Sequence, residues 1–480
     1  MKRMLIFLLV LLLAAAGLLT AGAGYLTSTE DDITLTHNLI AGDPAAAEGV
    51  TLTLPAGDQG SQTCWETTVD LGTVELAPKT EFTFYPKGKT WENDPQPQAD
   101  IYTGSINFGM SSTGGIDLSE YTGEGEEDPG RLYDATMMVL PAADVAERTE
   151  NGETRTETLR LADYYDYYPM TVELYLPDQE GRSHVYATWA ECQALTDYFG
   201  LRVPEDLMVE VSVTKDELGQ VNNVETNDTE DQRFWFDCQA LVVEDGICVS
   251  ISVESENIDV PEDLVACRDG FGLYFIPFSE ELKTDYEQGD PIFNLENIRM
   301  FCPLAQGSSP LLLNREAEGQ VLLYAREDGA LKLSVFDVDT WQCVQWESIF
   351  PLGAEDYYSL LGSGEGFMVM YRSDDGFFQV VEEQDGVYTP ALSGTWDRGE
   401  GYVDEWWHDT ACAYDGERLV LSGITGNGNC SLWVQVYDET GLTYGARIDH
   451  SLDREDAWNF YEYRTDAVTE QYPIITFTGA

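Results

Sequence analysis

The stretch GEGFMVMYRSDDGFFQVVEEQDG, residues 364–386, decides the fold, because it places three glycine turns around two apolar runs. In each turn a glycine follows an acidic residue: Glu365-Gly366, Asp375-Gly376 and Asp385-Gly386. Glycine supplies the positive φ that tight hairpin turns need, and aspartate tolerates it. The runs between the turns have the length of β-strands. The stretch therefore predicts antiparallel strands joined by short hairpins.

The stretch is one copy of a repeat. Its first acidic-glycine pair belongs to a series formed by Asp269-Gly270, Glu318-Gly319, Glu365-Gly366 and Asp415-Gly416. The glycines of this series are 49, 47 and 50 residues apart. In the last three copies a second and a third turn follow at strand-length intervals, so each copy predicts four strands.

The strands of a copy differ in composition. A strand precedes the first turn over Pro310–Asn314, Tyr358–Gly362 and Asp409–Tyr414. The next strand is apolar throughout, as in Val321–Ala325 and Phe367–Tyr371, which predicts burial on both faces. The following strand mixes apolar and polar residues, as in Leu331–Phe336 and Leu432–Tyr437, which predicts a half-exposed strand.

Four antiparallel strands that recur every 47–50 residues are typical of β-propeller blades. The sequence resembles a generic β-propeller repeat protein over about residues 260–450, and LKLSVFDVDTW, residues 331–341, resembles a quinoprotein or surface-layer blade. No Trp-Asp or kelch signature identifies a specific family. The resemblance implies an all-β fold, a β-propeller-like array of four-stranded blades. A β-sandwich with accidental turn spacing is the alternative.

Three further features extend the pattern. Residues 220–262 predict another unit, with a hairpin about Asp245-Gly246. YPIITF, residues 472–477, predicts a strand that closes the array against an early blade. The segment 221–232 is the best candidate for a domain boundary, which separates a β-rich region, 28–220, from the blades, 221–480.

The region 28–220 is less regular, and its residues 35–215 fit either further blades or a separate β-rich domain. VTLTLP and EFTFYP predict strands, and AERTENGETRTETLRL predicts a long hairpin about Asn151-Gly152. One short helix is predicted near 188–199, where Thr188 and Glu191 form a capping box and Gly200 ends the helix. Its predicted apolar face consists of Trp189, Cys192, Leu195 and Phe199.

The N-terminus predicts a membrane signal over residues 1–27. Lys2 and Arg3 precede an uncharged run from Met4 to Leu26, which is long enough to span a bilayer. The flanking charges place the N-terminus inside and the body outside the cell, as a single-pass protein of the cell membrane. Ala21-Gly22-Ala23 also fits a cleavage site, which would make the protein secreted.

The charge of the chain limits its partners. Eighty-seven acidic residues against 25 basic ones give a net charge of −62, which repels phosphate backbones and argues against nucleic acid. Cations, basic peptides and neutral glycans remain possible. The 26 Tyr, 19 Phe and 11 Trp argue against disorder. The nine cysteines form no CxxC motif and, being odd in number, no complete disulfide framework.

No nucleophile elbow, P-loop or zinc-protease motif occurs, and the four histidines are far apart in the sequence. No catalytic residue, cofactor or metal site is therefore predicted. Two aromatic-acidic clusters are the candidate binding sites, since aromatic rings stack on sugars and attract cations. DYYDYYPM, residues 163–170, contributes Tyr164, Tyr165 and Tyr167. DEWWHD, residues 404–409, contributes Trp406, Trp407 and His408.

Together these features predict a bacterial-type, membrane-tethered or secreted module that binds a glycan or a protein partner and is not an enzyme. The alternative is a cell-surface hydrolase or lyase acting on glycans. That alternative requires a pair of carboxylates at one site.

Overall fold

The structure is a computed structural model, and it describes residues 12, 14–18, 20–22, 24, 33–58, 63–84, 97–104, 108–118, 129–178, 181–228, 234–255, 264, 270–280, 290–315, 319–353, 356–397, 399, 410–424, 431–451 and 473–478. The chain forms two compact units. Unit 1 comprises residues 1–93 and 354–480, and unit 2 comprises residues 94–353.

Strands make up most of the described chain. The first nine are β1 Leu35–Gly42, β2 Val50–Asp58, β3 Thr63–Asp70, β4 Lys79–Phe84, β5 Gln98–Thr103, β6 Phe108–Ser111, β7 Thr154–Arg160, β8 Met170–Asp178 and β9 Gly181–Tyr186. The next six are β10 Met208–Lys215, β11 Val221–Asp228, β12 Phe234–Val243, β13 Gly246–Ser255, β14 Gly272–Pro277 and β15 Arg299–Pro303. They are followed by β16 Leu311–Arg315, β17 Gln320–Glu327, β18 Ala330–Asp337, β19 Cys343–Pro351, β20 Tyr358–Gly364, β21 Phe367–Arg372, β22 Phe377–Gln384 and β23 Val387–Thr395. The last five are β24 Ala411–Tyr414, β25 Leu419–Ile424, β26 Ser431–Asp438, β27 Gly441–His450 and β28 Ile474–Phe477.

Among the described residues, two α-helices interrupt the strands, α1 Pro129–Arg148 and α2 Trp189–Phe199. Short 3-10 turns occupy Pro44–Ala47, Leu161–Asp163 and Leu295–Asn297.

The strands form seven antiparallel sheets in the part of the chain that the structure describes. In unit 2, β12 to β15 and β16 to β19 each form a four-stranded meander, and in unit 1 β20 to β23 do the same. A β-sandwich would instead place its strands in two large sheets. The fold is therefore all-β, a β-propeller-like array of four-stranded blades, as the repeat predicts.

Burial of the repeat strands follows the sequence pattern, with one exception. Val321–Ala325 and Phe367–Tyr371 are buried at every residue, and β18 alternates between buried and half-buried residues, as predicted. The prediction that Leu432–Tyr437 is half-exposed is wrong, because every residue of this range is buried. Its valines pack on one side against the sheet of β2, whereas Trp433 and Tyr437 pack on the other side against the sheet of β21.

The predicted turn chemistry is present. Asp328 and Gly329 both have positive φ, 51° and 76°, and so do Asp385 and Gly386, at 54° and 76°. Positive φ at both central residues defines the two-residue turn that matches the twist of hairpin strands.

Unit 1 is closed by its termini. The C-terminal strand β28 pairs with β2, from Val50 opposite Phe477 to Thr53 opposite Ile474, which confirms the predicted closing strand. Strand β1 adds a fifth strand to the sheet of β24 to β27 by pairing with β27. Ile475 and Phe477 pack against the core that contains the fully buried Val50.

Unit 2 differs from the sequence expectation before residue 160. The predicted hairpin about Asn151-Gly152 is wrong, because helix α1 ends at Arg148 and this turn leads from the helix into β7. Pro141 lies inside α1, and a proline normally argues against a helix interior. The hairpin of β12 and β13 is confirmed, with Val243 opposite Gly246.

Two further predictions concern the segments 1–27 and 221–232. The first, 1–27, lies largely outside the described residues, and among those described no helix is long and apolar enough to cross a membrane. The second, 221–232, begins with strand β11, which pairs with both β10 and β6. The division of the chain at residue 221 stays a prediction.

Candidate functional site

The two predicted clusters have different outcomes. Trp406, Trp407 and His408 lie outside the residues that the structure describes. Tyr164, Tyr165 and Tyr167 are described, and they follow the short 3-10 turn Leu161–Asp163 in unit 2.

Backbone hydrogen bonds place this tyrosine segment beside the C-terminal end of α2. The Tyr168 amide donates to the Leu201 carbonyl at 2.7 Å, and the Val203 amide donates to the Asp166 carbonyl at 3.1 Å. The Met170 amide donates to Thr196 Oγ1 of the helix at 2.9 Å. The residues that follow Tyr165 therefore lie beside α2 and beside the residues that follow α2. A gap remains between the tyrosine segment and the helix.

The gap is a cavity of about 260 Å³. It is lined by Tyr164, Tyr165, Asp166, Tyr167, Pro169, Met170 and Thr171 on one side and by Trp189, Cys192, Gln193, Thr196 and Asp197 of α2 on the other. We call this cavity the aromatic pocket. It brings together all three predicted tyrosines and the Trp189 indole of α2.

Each lining tyrosine has a distinct environment. Tyr164 donates its hydroxyl to Asp144 Oδ2 at 2.5 Å, and burial together with this carboxylate raises the pKa of the phenol to about 12. Burial also raises the pKa of the Tyr165 phenol. Tyr167 lies under the Arg202 guanidinium, whose carbon is 5.9 Å from the ring centroid. All three tyrosines are half-buried.

Tyr168, the fourth tyrosine of the segment, is not part of the pocket. Its side chain is buried, and its ring meets Phe236 edge-on at 5.2 Å between centroids. The segment thus divides into one core ring and three pocket rings.

On the helix side of the pocket, Cys192 and Thr196 are buried, whereas Gln193 and Asp197 are exposed. The Thr196 hydroxyl donates to the Cys192 carbonyl at 2.8 Å. Burial raises the pKa of the Cys192 thiol to about 11, so it stays protonated at neutral pH and is a poor nucleophile. Gln193 donates to Asp197 Oδ1 at 3.1 Å, one turn apart on the exposed face.

A buried carboxylate fixes the position of α2. Glu191 Oε2 accepts hydrogen bonds from the Thr188 amide and hydroxyl, at 2.8 and 2.7 Å, which completes the predicted capping box. Its Oε1 accepts from the Ile292 and Phe293 amides, both at 2.7 Å. The first turn of α2 is thereby tied to the segment before the 3-10 turn Leu295–Asn297.

Sequence reasoning missed half of the pocket. It placed Trp189 on the apolar face of α2, but the side chain is 38% exposed and lines the pocket, whereas Cys192, Leu195 and Phe199 are buried as expected. Gln193 and Asp197 were not singled out. The signal was available in part, because 189, 193 and 197 are spaced by four and share a helix face.

A second polar cluster lies on the sheet of β5, β8 and β9. Asp100 and Glu173 are opposite each other in the pairing of β5 with β8. The Tyr102 hydroxyl donates to Asp100 Oδ2 at 3.0 Å, and the Tyr175 hydroxyl donates to Glu173 Oε2 at 2.9 Å. Burial is the main reason that the pKa of Tyr175 is raised to about 12, and burial also raises the pKa of Tyr102.

No group of three or more His, Cys, Asp or Glu side chains in the described part of the chain is arranged to hold a metal ion. The cysteines described as free thiols are Cys192, Cys238, Cys248, Cys302, Cys343 and Cys412.

Neither a comparison with protein-family models nor a search of curated proteins finds a match. Solved structures with similarity include a proposed 6-phosphogluconolactonase from Bacteroides fragilis, at 9% identity and a TM-score of 0.27, covering 83% of this chain and 94% of that one. Prolyl oligopeptidase B from Galerina marginata has 9% identity and a TM-score of 0.24, covering 85% and 53%. The WD40 domain of SCAP from fission yeast has 8% identity and a TM-score of 0.23, covering 87% of each. At these scores the similarities identify neither a family nor an activity.

Proposed function

We propose that this chain is a non-enzymatic binding or scaffold module that is tethered to the cell membrane by residues 1–27, with its body outside the cell. The observation that carries the proposal is the aromatic pocket. Three half-buried tyrosines and Trp189, which is 38% exposed, line a cavity of about 260 Å³. Small-molecule pockets are typically lined by aromatic side chains with a few polar groups, as this one is.

The cellular location is supported by the sequence alone. The uncharged run from Met4 to Leu26 follows two basic residues and precedes an acidic flank. Protease treatment of intact cells should therefore digest the body, and the protein should stay with the membrane fraction after an alkaline wash. Recovery in the culture medium instead would indicate that the signal is cleaved, and recovery in the cytosol would contradict the location.

The binding function is tested by a thermal-shift screen of the full chain against neutral oligosaccharides, cell-wall fragments, basic peptides and candidate protein partners. A ligand at a hundred times its dissociation constant stabilises the folded state by roughly 2.7 kcal/mol. The shift should be lost in Trp189→Ala and kept in Trp346→Ala, which removes an indole that is 68% exposed on strand β19. A shift that both variants keep would place the ligand site elsewhere.

A glycan hydrolase or lyase is the second candidate, and the Asp100 and Glu173 pair favours it. Glu173 is 6% exposed and Asp100 is exposed, so the two carboxylates have different surroundings, as an acid and a base in glycoside cleavage usually do. Glu173→Gln should then abolish release of reducing sugar from a susceptible glycan. If no glycan in a broad panel is cleaved by the unaltered chain, this candidate is rejected.

A further inference from the structure

We propose that the aromatic pocket recognises a cationic group, of the kind carried by a lysine side chain, rather than a neutral sugar. The inference rests on the proposed function, because it names the ligand class of the same pocket. Its basis is the charge of the lining residues. The ionised side chains that line the cavity are Asp166 and Asp197, and both are exposed.

These two carboxylates have no counter-ion among the residues that the structure describes. Asp197 accepts a hydrogen bond from the neutral amide of Gln193 at 3.1 Å. No Lys, Arg or His belongs to the described lining of the cavity. A ligand cation would therefore add the positive charge that the pocket lacks.

The arginines near the pocket are already engaged. Arg148 pairs with Asp144 at 2.8 Å and with Glu157 at 2.9 Å, and Arg160 pairs with Asp163. Arg202 lies over the Tyr167 ring at 5.9 Å. The Tyr167 ring thus already holds a guanidinium, so a ligand cation would contact Trp189, which is 38% exposed.

The pocket chemistry does not suit an anion. The first turn of α2 would be the natural anion site, but Glu191 and Thr188 already satisfy amides there. An aromatic face next to a carboxylate attracts a cation through both the ring quadrupole and the charge. The cavity, about 260 Å³, falls just below the usual range of small-molecule pockets, roughly 300–1,000 Å³, and so suits one side chain rather than an extended chain of sugars.

The test is calorimetric titration of the full chain at physiological salt, where long-range attraction to the net charge of −62 is largely screened. The probes are a tetralysine peptide, the same peptide with acetylated side chains, and cellotetraose. The variants are Trp189→Ala and the double variant Asp166→Asn, Asp197→Asn. Glu217→Gln is the control, because Glu217 is exposed in the turn after β10 and does not line the pocket. The other end of β10 is the end near the tyrosine segment, where the Leu161 amide donates to the Leu207 carbonyl.

We expect tetralysine to bind more tightly than its acetylated form. Trp189→Ala should weaken the binding of tetralysine about 2- to 30-fold, the range of a cation–π contact. The double variant, which removes two charge pairs, should also weaken it about 2- to 30-fold. Glu217→Gln should change its affinity less than about twofold. Far-UV circular dichroism and the thermal midpoint verify that each variant is folded.

Other outcomes overturn the inference in distinguishable ways. If cellotetraose binds and only Trp189→Ala weakens it, the pocket is a binding site but its ligand is a neutral glycan. If Glu217→Gln weakens tetralysine as much as the double variant does, or if tetralysine does not bind at millimolar concentration, recognition of a cation by this pocket is refuted. If a probe binds and no pocket variant changes its affinity, the proposed function of the pocket fails as well.

Discussion

Glu191→Ala tests how the pocket is held together. The carboxylate accepts two hydrogen bonds from the Ile292 and Phe293 amides and two from Thr188, all between 2.7 and 2.8 Å. Ile292 is fully buried and Phe293 is 5% exposed, so their amides would find little water after the substitution. We therefore expect Glu191→Ala to destabilise unit 2 and to release the first turn of α2.

The magnitude follows from the groups left without acceptors. A buried donor that loses its partner costs about 1–3 kcal/mol, and loss of a helix cap costs about 1 kcal/mol. Two amides and one cap therefore predict a loss of about 3–7 kcal/mol. Glu191→Gln keeps an acceptor for the two amides and should lose only about 1–2 kcal/mol.

The assay is urea unfolding combined with hydrogen exchange of peptides that cover residues 290–303. Gln193→Ala is the control, because it removes one exposed hydrogen bond from the same helix and should change stability by less than about 0.5 kcal/mol. A loss below about 1 kcal/mol for Glu191→Ala, or unchanged exchange at residues 292 and 293, would refute the reasoning.

Three further predictions concern the closing strand, the end of strand β1 and one tyrosine of the pocket. Removal of residues 473–480 deletes strand β28, so it should lower the calorimetric transition temperature of unit 1 and leave that of unit 2 unchanged. An unchanged thermogram would show that the closing strand is dispensable. Gly42→Ala should speed hydrogen exchange in β1, because the new Cβ would lie 1.8 Å from the Thr443 carbonyl oxygen, whereas Gly416→Ala, at a similar positive φ but with nothing within 4 Å, should not. The pKa of Tyr164 is raised from 10.0 to about 12, so its stabilising contribution is complete below pH 10 and is lost as the pH rises through about 12. In Tyr164→Phe, the free energy of unfolding measured with urea should therefore fall less steeply between about pH 10 and pH 12. The same slope as in the unaltered chain would contradict the raised pKa.

The repeat could be predicted because its signals are local. The turn at Asp328-Gly329 requires positive φ at two positions, and only a few residue types supply it. The apolar run Phe367–Tyr371 predicts burial on both faces by composition alone, and the structure agrees. Leu432–Tyr437 was misjudged because Gln435 suggested a solvent face. In the fold this side chain is buried and donates to the Asp397 carbonyl at 2.6 Å.

The pocket could be predicted only in part, because it depends on tertiary contacts. The tyrosines stood out by composition, but nothing local indicates that Met170 bonds to Thr196 and so sets α2 beside them. The spacing of Trp189 with Cys192, Leu195 and Phe199 suggested that Trp189 is buried, but tertiary packing leaves it 38% exposed. Helix α1, whose Asp144 holds Tyr164, was hidden by its internal proline.

The most direct test of the binding site is hydrogen exchange of the full chain with and without the tightest ligand from the thermal-shift screen. The account predicts that the ligand protects peptides covering residues 163–171 and 189–199 and leaves those covering 404–409 unchanged. Protection confined to 404–409, or absent from both sides of the aromatic pocket, would contradict it.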